Sequence, residues 1–295
     1  MKKPLFSGVC TALVTPFLDN QVNYPLVEQM IRRQIQAGVK AIVLAGTTGE
    51  APTLSDEEKI KLFQKGKQYA KEDCLIIAGT GSNCTKHAVE LSVAAQRAGA
   101  DALLVVAPYY NKGNPEGLFT HYMAIAQSVD IPIIIYNVPS RTGIDMPVSL
   151  YRRLYKQPNI VGVKEASTDI SKYIAIQNAC PGDFCIWSGN DELTVPVISL
   201  GGYGVISVLS NLFPAETVAM TQAALDGDFD TAAALQCALM PIIQLLFRDV
   251  NPIPVKYAMQ YVGFDCGKCR LPLGPISPDA KERIDRFFQQ KKCAG

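Results

Sequence analysis

Histidine is almost missing from this chain: its 295 residues include two, His87 and His121. Neither lies at the end of an apolar run, so proton transfer falls to tyrosine, a carboxylate or water. Net charge is nearly missing too, at +1 with Lys and Arg spread along the sequence. That leaves no electrostatic footprint for nucleic acid or anionic lipid. No long hydrophobic run is present, and stretches such as 131–136 are far too short to cross a bilayer. No Gly-x-Gly-x-x-Gly opens the first helical stretch, which argues against a doubly wound nucleotide-binding sheet. Cys266-Gly267-Lys268-Cys269 has no second Cys-x-x-Cys to complete four zinc ligands. No metal is expected. The nine cysteines are scattered, and Cys74 and Cys185 precede apolar runs as small buried hydrophobes do. Lys2 and Lys3 precede an apolar stretch, but Ser7, Gly8, Thr11 and Pro16 interrupt it and no Ala-x-Ala follows. The start therefore reads as a first strand of a cytoplasmic protein with no membrane partner.

What is present is hydrophobic patterning. Hydrophobic residues make up 48% of the chain, enough for one large core. Short apolar segments recur at 10–14, 41–45, 75–78, 102–107, 132–138, 160–163, 185–187 and 205–209. Helical-period stretches separate them. One, at 55–71, opens with a Ser-Asp-Glu-Glu capping box, and another, at 85–98, stops at Gly99. Strands alternating with helices predict an α/β fold, a TIM (β/α)8 barrel. Past Leu209 the pattern turns helical, at 214–226, 229–247, 254–261 and 278–291. The expected organisation is a catalytic barrel over 1–226 and a C-terminal helical appendage over 227–295.

Active sites of such barrels lie at the C-terminal strand ends. Here those ends carry Gly46-Thr47-Thr48-Gly49-Glu50, Tyr109-Tyr110-Asn111, Tyr136 followed through Ser140-Arg141-Thr142-Gly143, Lys164, Ser188-Gly189-Asn190, and Gly204-Val205-Ile206-Ser207. Lys164 ends an apolar run. Burial disfavours an ammonium, and a neutral amine attacks carbonyls to form a Schiff base. Taken alone, Lys164 better fits a strand meeting solvent, Tyr109 and Tyr110 fit packing aromatics, and Arg141 fits a surface pair with Asp145. Gly-Thr-Thr-Gly alone fits an ordinary turn. Glu165 points to the opposite face of the strand and reads as structural. Convergence on one barrel end favours function. The loop amides suit a small carboxylate, Arg141 a second one, and Tyr136 a proton.

These motifs, with Val163-Lys164-Glu165-Ala166 and Asn251-Pro252-Ile253-Pro254-Val255-Lys256, resemble the dihydrodipicolinate synthases over nearly the whole chain. Those are class I aldolases of the lysine pathway. The resemblance implies condensation of pyruvate with L-aspartate-4-semialdehyde to 4-hydroxy-tetrahydrodipicolinate, with no cofactor. It implies the imine at Lys164 and a proton relay of Tyr136, Thr47 and Tyr110, the last reaching in from a neighbouring subunit. It also implies pyruvate held by Thr48, the semialdehyde guided by Arg141, and Ile206 and Gly189 beside the lysine. The assembly implied is a homotetramer, a dimer of dimers. N-acetylneuraminate lyases are the nearest alternative, but they typically carry Gly-Ser-Thr-Gly-Glu and lack the Ser-Arg-Thr-Gly arginine. Aldolases of sugar acids such as 2-keto-3-deoxygluconate, and a non-catalytic keto-acid binder, are further alternatives. The binder would be favoured by loss of Lys164, Tyr136 or Arg141, and all three are present. In lysine-inhibited relatives a cleft corresponding to Asn83, His87 and Tyr109 binds lysine. His87 stands there in place of an acidic residue, and Asp56 and Lys59 stand where histidines are frequent. Weak or absent inhibition by lysine is expected.

Overall fold

Eight parallel strands close on one another in the computed structural model of the chain, which describes residues 4–180 and 182–293. Lys2 and Lys3 lie outside the described residues. Strand β1 (Gly8–Ala12) is followed by a small antiparallel hairpin, β2 (Phe17–Leu18) and β3 (Gln21–Val22), then helix α1 (Tyr24–Gln36). The barrel continues through β4 (Ala41–Leu44), α2 (Asp56–Ala70), β5 (Leu75–Gly79), α3 (Thr85–Arg97), β6 (Ala102–Val106) and α4 (Pro115–Ala126). Next come β7 (Ile133–Asn137), the single turn α5 (Pro139–Thr142), α6 (Val148–Leu154), β8 (Ile160–Glu165), α7 (Ile170–Ala179), β9 (Cys185–Ser188), α8 (Thr194–Ser199) and β10 (Gly204–Ser207). Around the ring the order is β1, β10, β9, β8, β7, β6, β5, β4.

The strands are apolar on both faces because both are covered. Ile42, Ile76, Leu103, Ile133 and Ile135 face the helices. Val43, Ile77, Leu104, Ile134 and Trp187 fill the barrel interior. At the lower end, Phe6 stacks on Trp187 at 4.7 Å between ring centres. The β7–β8 ladder contains one irregularity: Ile133 pairs with Ile160, but Ile134 pairs with Gly162. The extra residue on β8, Val161, is a β-bulge. Beyond it, Tyr136 pairs with Lys164 and Asn137 with Glu165.

The predicted elements are found with shifted ends. Ser55 caps α2 with both arms of the capping box, and Gly99 follows α3 at φ +89°. The segment read as a strand over 205–209 stops at Ser207, and Leu209 begins a 3-10 turn. The buried Asp191 carboxylate takes the amides of Val208 and Leu209 at 2.9 and 3.0 Å, removing them from the ladder. The hairpin was not anticipated. Its turn residues Asp19 and Asn20 both have positive φ, as tight hairpins require.

After β10, the longer elements among the described residues are helical: α9 (Pro214–Leu225), α10 (Phe229–Leu246), α11 (Ile253–Ala258) and α12 (Pro278–Cys293). Among the described helices, α10 alone is long and apolar enough to cross a membrane by length and composition. It packs against α8, α9 and α12, and buries Ala232, Leu239, Ile242, Ile243 and Leu246. That is the behaviour of a core helix.

Candidate active site

Lys164 stands at the C-terminal end of β8 with 5% of its surface exposed. Its Nζ lies 4.3 Å from the centre of the Tyr136 ring, over its face. Strand pairing sets this contact, because the two residues are partners across β7 and β8 and share the inner face. Ile206, on β10, belongs to the same inner cluster. Gly189 donates its amide to the Glu165 carbonyl at 2.6 Å. A Cβ at Gly189 would meet the Ala166 Cβ at 2.8 Å, so glycine is what permits this approach.

A cavity of about 390 Å³ opens beside Tyr136, and Lys164 is not among its lining residues. Thr47, Tyr136 and Arg141 line one part, and Lys59, Ser82, His87 and Tyr109 another. Thr47 sits in a turn held by Glu50 N–H to Thr47 O at 3.1 Å and Ala51 N–H to Gly46 O at 3.2 Å. Gly49 packs this turn against β1 and β4, since a Cβ there would meet Leu13 O and Ala45 N, each at 3.2 Å. Arg141 donates to the Asn251 carbonyl at 3.0 Å, and the Asn251 side-chain amide donates to the Thr48 hydroxyl at 3.0 Å. The surface pair of Arg141 with Asp145 is not formed. Asp145 instead takes Lys172 and Asn137.

Neither histidine stands at a strand end. His121, on α4, bonds Thr85 at 3.0 Å, and burial lowers it to about 4. His87, on α3, nevertheless reaches the cavity wall. Its Nε2 lies 2.8 Å from Asp56 Oδ2, and Nδ1 lies 3.1 Å from Ser82 Oγ. Asp56 also accepts from Lys59 at 3.2 Å. Burial pushes the Asp56 carboxyl up, but the hydrogen bonds from His87 and Lys59 outweigh it and hold the group below its ordinary value. Six of the anticipated residues are not among those lining the cavity: Lys164, Thr48, Gly189, Ile206, Asn83 and Tyr110. Asn83 uses its carbonyl to accept from Asn111 at 2.8 Å. Tyr110 is 88% exposed with φ +76°.

Several residues that sequence reasoning left without a role support the site. Lys256 and Glu50 form an ion pair at 2.7 Å, with side chains 2% and 0% exposed. Glu50 also accepts the Arg270 amide at 2.8 Å. The unanticipated hairpin supplies Phe17, whose ring lies 4.0 Å from Lys256 Nζ and 4.3 Å from the Arg270 guanidinium carbon. The C-terminal region is thus fastened to the loop that carries Thr47 and Thr48. Both Glu50 and Lys256 lay within recognised motifs, and that was the signal available. Cys266 and Cys269 are next to this pair, and burial pushes both thiols up to about 12. That is the opposite of a reactive thiolate.

A closed (β/α)8 barrel with a lysine, a tyrosine and an arginine at its C-terminal mouth belongs to the class of barrel enzymes whose sites lie at the strand ends. The Dihydrodipicolinate synthetase family model matches residues 5–291. A 4-hydroxy-tetrahydrodipicolinate synthase of Acetivibrio thermocellus is 45% identical over 92% of this chain and 93% of its own. The crystal structure of dihydrodipicolinate synthase from Aquifex aeolicus superposes with a TM-score of 0.95 at 40% identity, covering 97% of this chain and 98% of that one. A structure described as the first monomeric dihydrodipicolinate synthase variant superposes with a TM-score of 0.94 at 37% identity, covering 97% and 96%. The chain belongs to the dihydrodipicolinate synthetase family, and it is a lyase.

Replacing Lys256 by Met leaves the Glu50 carboxylate buried without its cation. Breaking a buried pair from one side costs about 3–5 kcal/mol. The expected result is a lower urea midpoint. A midpoint equal to that of the parent would mean that the pair does not hold the loop.

Proposed function

We propose that this enzyme condenses pyruvate with L-aspartate-4-semialdehyde through a Schiff base at Lys164, giving 4-hydroxy-tetrahydrodipicolinate. The observation that carries the reading is the buried Lys164 amine over the face of the Tyr136 ring, a ring that with Thr47 and Arg141 lines the cavity. The amine attacks the keto carbon of pyruvate, water leaves, and the protonated imine acts as an electron sink. The pyruvate methyl then loses a proton, the enamine attacks the aldehyde to form the new carbon–carbon bond, and the semialdehyde's own amine attacks the imine carbon, closing the ring and releasing the Lys164 amine. Tyr136 is the general acid/base, passing its proton through Thr47 to Tyr110. Thr48 holds the pyruvate carboxylate through its backbone amide, while Gly189 and the Ile206 carbonyl position the lysine. Arg141 guides the semialdehyde carboxylate with the paired donors that guanidinium offers.

Tyr110 cannot serve its own cavity from an 88% exposed position. In this reading it completes the site of a second copy, within a homotetramer built as a dimer of dimers. Its positive φ supports a tip held for that purpose, since such a backbone is uncommon in non-glycine residues.

Weak or absent inhibition by lysine belongs to the same proposal. The wall around His87 and Tyr109 offers no carboxylate to a ligand's ammonium, because Asp56 is engaged by His87 and Lys59. The Lys59 ammonium itself lines the cavity and repels a second cation.

Lys164→Ala is expected to abolish the pyruvate adduct trapped by borohydride, and an adduct persisting on another lysine refutes the assignment. Arg141→Ala still traps pyruvate but turns over the semialdehyde at least about tenfold more slowly, the loss of a charge-assisted bond of roughly 1.5–3 kcal/mol. Normal kinetics in that variant place the second carboxylate elsewhere. Pyruvate consumption with the semialdehyde, run beside N-acetylmannosamine, tests the substrate; loss with the sugar alone identifies a sugar-acid lyase. Millimolar lysine leaves the rate nearly unchanged at mildly alkaline pH, and half-inhibition below that concentration contradicts the reading of the His87 cleft.

A further inference from the structure

On the outer face of β7 and β8, one residue beyond the Tyr136–Lys164 pair, lies a second cross-strand pair with no part in the chemistry above. The Glu165 carboxylate is fully buried. Its Oε1 accepts from Asn137 Nδ2 at 2.9 Å and from the Ser167 amide at 2.8 Å. Its Oε2 accepts from Asn137 Nδ2 at 3.0 Å and from the Tyr151 hydroxyl at 3.3 Å. Lys172 Nζ lies 3.8 Å from Oε2. Asn137, the Ser167 amide and Tyr151 donate to it, while the Lys172 ammonium stands beyond hydrogen-bond distance. The backbone joins in: the Ala166 amide donates to the Asn137 carbonyl at 3.0 Å, and the Tyr173 hydroxyl donates to the Glu165 carbonyl at 2.7 Å.

We propose that Glu165 is a positioning residue, whose ionised carboxylate clamps the ends of β7 and β8 through Asn137 and so holds Tyr136 and Lys164 face to face. The register makes the link direct. Asn137 is bonded to Tyr136 and Glu165 to Lys164, and the two outward side chains pair at the same level as the two inward ones. A loosened outer pair lets the strand ends rotate, and the inner pair turns with them. Near-attack geometry tolerates little of this, since small misplacements of reacting groups cost large factors in rate.

The clamp depends on charge. An ionised carboxylate only accepts, whereas a protonated one must also donate, and of its hydrogen-bonded neighbours the Tyr151 hydroxyl alone can take that proton, by giving up its own bond to Oε2. The titratable groups facing Glu165 are Tyr151 from α6, Lys172 and Tyr173 from α7, and Asp145 beyond Lys172 and Asn137. Burial pushes Glu165 up to about 7, against the pull of the Asn137 and Ser167 bonds. Burial also lowers Lys172 to about 8. The sign follows. Glu165 has a folded value above its unfolded one, so it is protonated and the clamp relaxed below about 7, and ionised and clamped above it.

The inference rests on the imine reading, and the experiment separates the two. Glu165→Gln imitates the protonated acid at every pH. The kcat of this variant relative to the parent is expected to be about one-tenth at pH 8 and to approach one at pH 6, with KM for pyruvate moving less than kcat. Borohydride trapping at pH 8 is slowed by a similar factor. A ratio that stays constant with pH, or equals one throughout, overturns the clamp even if the parent traps pyruvate normally. A parent that traps no pyruvate overturns the imine reading, and the clamp with it. Glu165→Ala serves as the second variant. If it folds, it shows the same pH-dependent deficit or a larger one, and wild-type kcat at pH 8 again overturns the proposal. If it does not fold, the glutamine variant decides alone.

Discussion

The register between β7 and β8 is the constraint on which the rest of the site depends. Side chains alternate along a strand, so a slip of one residue would turn Lys164 out of the barrel and Glu165 into it. The bulge at Val161 absorbs one residue and restores the phase, leaving Lys164 opposite Tyr136 on the inner face. The neighbouring strand requires a glycine just after it. A Cβ at Gly162 would meet the Cys185 carbonyl oxygen at 2.2 Å and the Trp187 ring at 2.8 Å. Bulge and glycine together place a long polar side chain in an interior that is otherwise apolar.

A second layer of support comes from far along the chain. Asn251, Lys256 and Arg270 bond to Arg141, Thr48 and Glu50, which belong to the barrel loops. The C-terminal helices therefore do more than cover the barrel. They bring a buried cation and an amide to the back of the loops that face substrate, so the mouth is built from both ends of the sequence. Orientation by such partners is what separates a site with the right residues from one with the right geometry.

How far the sequence could be read follows from the range of the interactions involved. The alternation of strand and helix, the capping box at Ser55 and the strand-end motifs are local patterns, and each was legible. The early end of β10 was not, because the cause is Asp191, which lies 17 and 18 residues from Val208 and Leu209. The Glu50–Lys256 pair spans 206 residues, and no local pattern announces it. Glu165 reads from its parity as an outward residue, which it is. Its buried ring of donors emerges only once α6 and α7 are packed. The hairpin was missed because its strands have two residues each, too few to show alternation.

The chain has a single tryptophan, and it is Trp187. It is fully buried in the barrel, and its register partner on β8 is Lys164. All indole fluorescence of the protein therefore comes from one place, a strand away from the Lys164 amine. The molecule carries its own optical gauge of what happens inside the barrel, with no dye attached and no second indole to blur it.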